Sequence, residues 1–312
     1  MQNIPILILT GPTGSGKSAW AERFAAEYPV EIISADSALV YRGMDIGTAK
    51  PPVATRARIP HHLIDILDPL ETYSAGQFAQ DCACLIGEIR SRGRIPLLVG
   101  GTLLYLRTLL RGIAELPRGS TELRSQIDED ALRRGWPALH AELERLDPVA
   151  AARIHPNDAQ RIQRALEVCR LTGRSLSELH RESHGALREP FLAWALYPRE
   201  RAVLHERIAT RFAAMMRAGF LDEARALYAR GDLTADHPSM RAVGYRQLWA
   251  HLAGQCSLSE AVEQGIAATR QLAKRQLTWL RAEPQMVAVD TQPADAYESW
   301  RAKLDAAWRG LD

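Results

Sequence analysis

The stretch Gly11–Ser18, GPTGSGKS, has the residue spacing of a loop that binds phosphate groups. It follows an apolar run, Ile6–Leu9, that is typical of a buried strand, and a helix is predicted to begin at Lys17. Glycines allow backbone torsions that other residues resist, so successive N–H groups can converge on one anion. The helix start adds unpaired N–H donors, Lys17 adds a mobile charge, and Ser18 adds a hydroxyl suited to Mg²⁺. The spacing therefore predicts a phosphate site, against the plainer interpretation of a tight strand–helix turn.

Two further segments could contribute chemistry at the ends of predicted strands. Asp36 comes just after Val30–Ser34, where a carboxylate can serve as a general base or metal ligand, or simply as a helix cap. The Gly100–Thr102 turn is either a close approach to a ligand or an ordinary strand-to-helix turn. Asp65 could equally be a metal-binding carboxylate or a residue of a turn at the end of a strand. His61 and His62 are interpreted as structural.

A sheet is needed to bring these segments together. The N-terminal third contains three predicted strands and three predicted helices, in the order Ile6–Leu9, Lys17–Glu27, Val30–Ser34, Ser74–Arg90, Ile95–Val99 and Leu103–Leu110. Short buried strands that alternate with helices predict an α/β fold with a parallel sheet of the P-loop type. Ligands of such sheets bind beyond the carboxyl ends of the strands, so the three segments are expected to face one crevice.

The pattern changes near Gly112. Helices are predicted at Thr121–Arg134, Pro137–Leu146 and Asp158–Leu171, with no strand before Phe191–Tyr197. We therefore predict a catalytic core of residues 1–112 and 191–312, with a helical insertion domain at residues 113–190. The core is expected to continue with helices at Arg199–Ala218, Leu221–Ala229 and Ser257–Ala282, a strand at Gln285–Val289 and a helix at Ala294–Trp308.

Composition narrows the class of protein. The 312 residues, 46% of them hydrophobic, are enough for a full core and a second lobe. The net charge is only +2, so a polyanionic partner would have to be met by local patches. The four cysteines form no CxxC pair, no apolar run approaches a membrane span, and the immediate first strand leaves no room for a signal peptide. A soluble, cytoplasmic, monomeric protein is expected.

Basic residues recur at helical spacing on three of the predicted helices. The groups are Arg161 with Arg164, Arg207 with Arg211, and Arg270 with Lys274 and Arg281. A charged helix face is commonly just solvated, but three such faces outside the sheet favour a groove that follows a nucleic-acid backbone.

Six blocks along the chain resemble the bacterial tRNA dimethylallyltransferases, which prenylate the adenosine just 3′ of the anticodon. The blocks are GPTGSGKS (11–18), SADSALVYRGMDIGTAKP (34–51), GRIPLLVGGTLLYL (93–106), DPVAAARIHPNDAQRIQRALEV (147–168), RAVGYRQLW (241–249) and ATRQLAKRQLTWLR (268–281). The resemblance implies transfer of the dimethylallyl group from dimethylallyl diphosphate to N6 of that adenosine. It also implies Mg²⁺ as the cofactor and the tRNA anticodon stem-loop as the macromolecular partner.

The same resemblance implies roles for individual residues. Asp36 would take a proton from N6, Thr13 and Lys17 would contact the diphosphate, and Ser18 would contact Mg²⁺. Arg207 or Arg211 would reach the leaving group. The implied diphosphate site is Gly11, Pro12, Thr13, Gly14, Ser15, Gly16, Lys17 and Ser18. The implied tRNA contacts are Asp36, Ser37, Ala38, Leu39, Thr102, Arg124, Gln160, Arg161, Ile162, Gln163, Arg164, Arg241, Ala242, Val243, Gly244, Tyr245, Arg246, Lys274, Arg275, Gln276, Leu277, Thr278, Trp279, Leu280 and Arg281.

Two other functions fit part of these observations. A small-molecule P-loop kinase would use Asp36 to deprotonate a hydroxyl and the insertion as a lid. A nucleotide-gated RNA-binding protein would need the loop but no carboxylate beside it. The insertion and the long basic helical chain after it exceed what a lid requires, which favours prenyl transfer.

Overall fold

The computed structural model describes residues 5–112, 116–117, 119–181 and 190–309. The chain forms two compact units. The first consists of Met1–Arg107 and Arg188–Asp312, and the second is Thr108–Leu187. The limits predicted for the insertion, residues 113 and 190, fall at or beside residues outside the described part.

The strands of the described residues belong to the first unit and form one parallel sheet. They are β1 (Ile6–Thr10), β2 (Val30–Ser34), β3 (His61–His62), β4 (Ile95–Gly100), β5 (Phe191–Tyr197) and β6 (Val287–Asp290). Their order across the sheet is β3-β2-β4-β1-β5-β6, and each neighbouring pair is parallel. Every residue of β1, β2 and β4 is buried, which explains their continuous apolar runs. The predicted α/β fold with a parallel sheet is confirmed.

Helices connect the strands and form the rest of both units. In chain order they are α1 (Lys17–Glu27), α2 (Val53–Arg58), α3 (Ala75–Ser91), α4 (Leu103–Arg111), α5 (Thr121–Arg134), α6 (Trp136–Leu146), α7 (Pro148–Ala151), α8 (Ala159–Thr172), α9 (Leu176–Arg181), α10 (Arg201–Arg217), α11 (Phe220–Tyr228), α12 (Tyr245–Leu252), α13 (Leu258–Arg281) and α14 (Ala296–Arg309). None of those described is both long enough and apolar enough to span a bilayer.

Clusters of buried side chains hold these elements together. In the first unit, one sheet face packs against α1 and α14, where Trp300 is almost fully buried. The helices α10 to α13 pack around Phe212 and Phe220 in a second cluster. The second unit has its own core, in which Ile127 and Leu166 are fully buried. Each unit therefore buries enough apolar surface to form a core of its own.

The predicted helices are present within two residues at either end. The sequence did not predict β3, α2, α7, α9 or α12, all of which are eight residues or shorter. The apolar run after His62 is not a strand, because Leu63 and Asp65 have positive φ angles, which extended strands exclude. Asp65 instead forms ion pairs with Lys50 and Arg56 at 2.5 and 2.7 Å, so the structure favours its interpretation as a turn residue.

Candidate active site

Three turns meet at the carboxyl ends of β1, β2 and β4, which are neighbours in the sheet. The hydroxyl of Thr10 donates to the Gly100 carbonyl at 2.9 Å, and the Thr102 N–H donates to the Ala35 carbonyl at 3.1 Å. The turns surround a cavity of about 580 Å³ within the first unit. Parallel strands place their carboxyl ends on one edge, so segments distant in sequence share this space.

The phosphate loop presents backbone donors to this cavity. Gly14 and Gly16 have φ angles of 80° and 93°, a left-handed conformation that glycine adopts without a steric penalty. Helix α1 follows Gly16 directly and no side chain caps it, so the N–H groups of its first turn are open to an anion. The Ser15 N–H closes the loop on the Pro12 carbonyl at 3.2 Å.

Lys17 is the cation at the loop. Its Nζ lies 3.5 Å from the Pro12 carbonyl oxygen, and its side chain lines the cavity. Burial lowers the pKa of Lys17 to about 8; the negative charge of Asp36 opposes this change, and the positive charge of Arg211 adds to it. The protein therefore holds two cations and one carboxylate close enough to affect one another.

Arg211 and Arg207 lie one turn apart on α10 and have different surroundings. Arg211 lines the cavity, and burial lowers its pKa while Asp36 raises it. Arg207 is not among the residues that line the cavity, and its guanidinium donates to the Thr291 hydroxyl at 3.2 Å. The sequence left both candidates open, and the structure brings Arg211 to the loop.

Asp36 lines the cavity from the turn after β2. Its Oδ1 accepts the Ala38 N–H at 2.9 Å within a turn, and the helix that the cap interpretation requires does not follow. The next residue, Ser37, donates its N–H to the Thr102 hydroxyl at 2.9 Å, which ties this turn to the one after β4. The carboxylate therefore serves its own turn and also faces Lys17 and Arg211.

A segment to which the sequence interpretation assigned no site residue forms another part of the wall. Residues 47–49 line the cavity, and the Glu223 carboxylate holds the start of this segment. It accepts the N–H groups of Asp45, Ile46 and Gly47 at 2.7, 2.7 and 2.9 Å, and the Tyr245 hydroxyl as well. A Cβ on Gly47 would lie 2.6 Å from the Tyr245 ring, so only glycine fits there.

Glu223→Gln is expected to lower the free energy of unfolding by about 2 kcal/mol, because an amide turns an NH₂ toward backbone N–H donors and weakens charge-assisted hydrogen bonds. Urea denaturation measures this loss. Glu263→Gln is the matched control, since the hydrogen bond that Glu263 accepts from Ser259 is long, at 3.5 Å. Equal effects of the two substitutions would contradict the anchoring role of Glu223.

Apolar side chains make up much of the remaining wall. They come from the sheet, α4, α10 and α13, and are Ile32, Val99, Leu103, Leu104, Ile208, Phe212, Met215 and Leu272. The α10 residues have no motif of their own, and only their helical spacing on the face that carries Arg211 could have indicated them. His61 also lines the cavity, although its sequence context suggested a purely structural role. The cavity thus combines a charged end with a surface suited to a small hydrocarbon group.

The residues expected to contact tRNA are distributed over both units. Those that line the cavity are Asp36, Ser37, Ala38, Leu39, Thr102, Arg241, Ala242, Val243, Tyr245, Arg275, Gln276 and Trp279. Those with exposed or half-buried side chains elsewhere are Gln160, Arg161, Gln163, Arg246, Lys274, Thr278 and Arg281. Ile162, Gly244, Leu277 and Leu280 are buried. Gly244 has no side chain, and the side chains of the other three pack inside their own units.

Arg124 and Arg164 bind a buried carboxylate in the second unit. They donate to Glu167 at 2.8 and 2.5 Å, and the Ser120 N–H donates to the same group at 2.9 Å. Burial acts to raise the pKa of Glu167, but the two guanidinium groups hold it below its usual range. Both arginines therefore contribute to the internal structure of this unit, a role that the sequence interpretation did not include.

Comparisons with known proteins agree on one family. A family model described as IPP transferase matches residues 39–283. A tRNA dimethylallyltransferase of Bordetella petrii is 56% identical over 94% of each chain, and one of Thiobacillus denitrificans is 55% identical over 98% of this chain and 97% of its own.

Solved structures give the same result. The tRNA isopentenylpyrophosphate transferase of Bacillus halodurans has a TM-score of 0.72 and 35% identity, over 99% of this chain and 98% of its own. A eukaryotic dimethylallyltransferase acting on tRNA has a TM-score of 0.81 and 28% identity, over 96% of this chain and 77% of its own. On this evidence, the chain belongs to the IPP transferase family of tRNA dimethylallyltransferases.

Proposed function

We propose that the protein transfers the dimethylallyl group of dimethylallyl diphosphate to N6 of the adenosine 3′ of the anticodon, releasing pyrophosphate. The observation that carries this proposal is that Asp36 lines the same cavity as Lys17 and Arg211, close enough to affect the pKa of both, and that the cavity has an apolar wall. Relatives that are 55–56% identical and named tRNA dimethylallyltransferase support it. We further propose that it acts in the cytoplasm, because its relatives are named for a reaction on tRNA. We also propose that it acts as a monomer, because the cavity is lined within one unit of a single chain.

The reaction makes two demands on the protein. The amine of adenine is a weak nucleophile because its lone pair is delocalised into the ring. The allylic carbon can bear positive charge as its oxygen departs. A new N–C bond forms, the C–O bond to the diphosphate breaks, and one proton leaves N6. The protein must therefore stabilise a departing anion and accept a proton on the opposite side of the carbon.

Three groups can meet the first demand. The open N–H groups of α1, the ammonium of Lys17 and the guanidinium of Arg211 surround the charged end of the cavity. Their positions are set by the folded chain before any substrate binds, so little reorganisation is needed as negative charge develops on the leaving oxygen. The desolvation that lowers the pKa of Lys17 also strengthens its interaction with a bound anion.

The residues of the cavity could bind a magnesium ion through few protein ligands. Mg²⁺ is commonly held by one or two protein oxygens, with phosphate and water completing its shell. Among the described residues no cluster of three or more His, Cys, Asp or Glu side chains could hold a metal. Ser18 lines the cavity next to Lys17 and would supply a hydroxyl ligand to the ion. The ion would neutralise part of the charge on the diphosphate.

Asp36 meets the second demand. Its carboxylate lines the same cavity as the loop, from the neighbouring turn, and can accept the proton that leaves N6. The apolar wall limits water, which would otherwise compete for the allylic carbon. An adenine in the mouth of the cavity would exclude the remaining water.

The base must leave its stack to reach this position. The anticodon loop is single-stranded, so splaying one base outward costs only a few kcal/mol. On α13, Arg275 and Trp279 line the cavity, and the Arg107 guanidinium lies 5.3 Å from the centre of the Trp279 ring. Aromatic rings and guanidinium planes are common stacking partners for unpaired bases. We place the tRNA along this helix.

The affinity for dimethylallyl diphosphate is expected to fall as pH rises above about 8. Lys17 binds the anion as an ammonium and has a pKa of about 8 in the free protein. Above that pH, binding must recapture a proton, so Kd should rise by up to about tenfold per pH unit. Calorimetric titration checks this. In Lys17→Arg, whose guanidinium stays charged, the decrease should disappear; an unchanged slope would assign the titration to another group.

The mass of the RNA distinguishes prenyl transfer from the kinase alternative. The protein is incubated with unmodified tRNA, Mg²⁺ and either dimethylallyl diphosphate or ATP, and the tRNA is then weighed by mass spectrometry. We expect the tRNA to gain the mass of one five-carbon group with the allylic donor and to keep its mass with ATP. A phosphoryl mass with ATP would support the kinase, and no change with either donor would overturn the proposed function.

A further inference from the structure

The side-chain amide of Gln276 connects two of the turns that form the cavity. Its Oε1 accepts the backbone N–H of Thr13 at 3.0 Å, and its Nε2 donates to the Gly101 carbonyl at 2.8 Å. Thr13 belongs to the phosphate loop after β1, and Gly101 to the turn after β4. Both polar atoms of one amide are therefore used by backbone groups of the candidate site.

Gly101 has no side chain, which allows the Gln276 amide to approach the backbone of this turn closely. A Cβ on Gly101 would lie 2.5 Å from Nε2 of Gln276, so a side chain at that position would displace the amide. Ala273 and Leu277, on the turns of α13 that flank Gln276, are buried against Leu204 and Ile208 of α10. The glutamine thus projects from a helix that is held in place by packing.

These contacts affect how the phosphate loop can bind an anion. The Thr13 N–H is occupied by Gln276 and the Ser15 N–H by the Pro12 carbonyl, so this part of the loop is fixed. The N–H groups at the start of α1 and the Lys17 ammonium are left to face the ligand. Without the amide, the Thr13 N–H would lose its partner and the loop could relax away from this arrangement.

We propose that Gln276 is a positioning residue that holds the phosphate loop ready for the diphosphate, and not a contact of tRNA. The proposal rests on the proposed function for the identity of the diphosphate. Glutamine suits the task because one side chain supplies both an acceptor and a donor. A glutamate could still accept from Thr13, but it could not donate to Gly101.

Two variants and a control test this assignment. Gln276→Leu removes both hydrogen bonds, Gln276→Glu removes the one to Gly101, and Gln271→Leu alters an exposed glutamine of the same helix. For each, calorimetry gives the Kd for dimethylallyl diphosphate and for inorganic pyrophosphate without tRNA, and filter binding gives the Kd for tRNA. Thermal melting shows whether each variant is folded.

Both anions should bind about tenfold or more weakly to Gln276→Leu and at least as weakly to Gln276→Glu, whose carboxylate also repels an anion at the loop. The tRNA affinity should stay within about twofold of the wild type. Gln271→Leu should match the wild type in its affinity for both anions. Unchanged anion affinity, or a loss confined to tRNA, would overturn the proposal. If the wild type binds pyrophosphate but does not prenylate tRNA, the proposed function fails, while the pyrophosphate series still tests Gln276.

Discussion

Replacing Asp36 with alanine is expected to lower the turnover number by about 10²–10⁴-fold, the usual contribution of a general base. The affinities for dimethylallyl diphosphate and tRNA should persist, because the diphosphate donors lie on α1, Lys17 and Arg211. Single-turnover kinetics with saturating substrates isolates the chemical step from binding.

A second carboxylate in the cavity provides the matched control for this experiment. Glu22 also lines the cavity, from α1, and is not assigned as a base. Glu22→Gln should change the single-turnover rate much less than Asp36→Asn does. A larger loss for Glu22→Gln, or a loss of substrate binding in a folded Asp36→Ala protein, would show that Asp36 is not the base.

Removing the charge of Arg211 is the second substitution with a large expected effect. Arg211→Gln should lower kcat/KM by about 10²–10³-fold, the loss seen when one preorganised donor to a developing anion is removed. Arg207→Gln, one helical turn away, should stay within about threefold of the wild type, because Arg207 donates to Thr291 away from the cavity.

The comparison between the two arginines is decisive because both substitutions remove the same charge from the same helix. Steady-state kinetics with varied dimethylallyl diphosphate measures both variants. If Arg207→Gln loses more activity than Arg211→Gln, the assignment of Arg211 to the leaving group is wrong. Equal losses would indicate a general electrostatic effect of α10 rather than a contact with the leaving group.

Local spacing was sufficient to select the loop at residues 11–18 and Asp36 as candidates, and residues of both line one cavity. The loop needs glycines, a lysine and a hydroxyl within eight consecutive residues, and Asp36 comes two residues after a strand that is buried throughout. Their meeting could be anticipated because parallel strands place their carboxyl ends together. The choice between Arg207 and Arg211 could not, because residues four apart lie on one side of a helix. Only the packing of α10 separates them.

Contacts between residues far apart in the chain were beyond sequence reasoning. Gln276 lies 263 residues after Thr13, and Glu223 lies 176 residues after Gly47. No local period links such pairs, and each uses a side chain that on its own reads as an ordinary polar helix residue. The resemblance grouped Gln276 with the tRNA contacts, whereas its side chain is hydrogen-bonded to the phosphate loop.

A crystal structure with a non-reactive thio analogue of dimethylallyl diphosphate tests the central claim most directly. We expect the diphosphate at the start of α1 beside Lys17 and Arg211, with the allylic carbon directed toward Asp36. A diphosphate bound elsewhere, or a carbon chain that points away from the Asp36 carboxylate, would contradict the account.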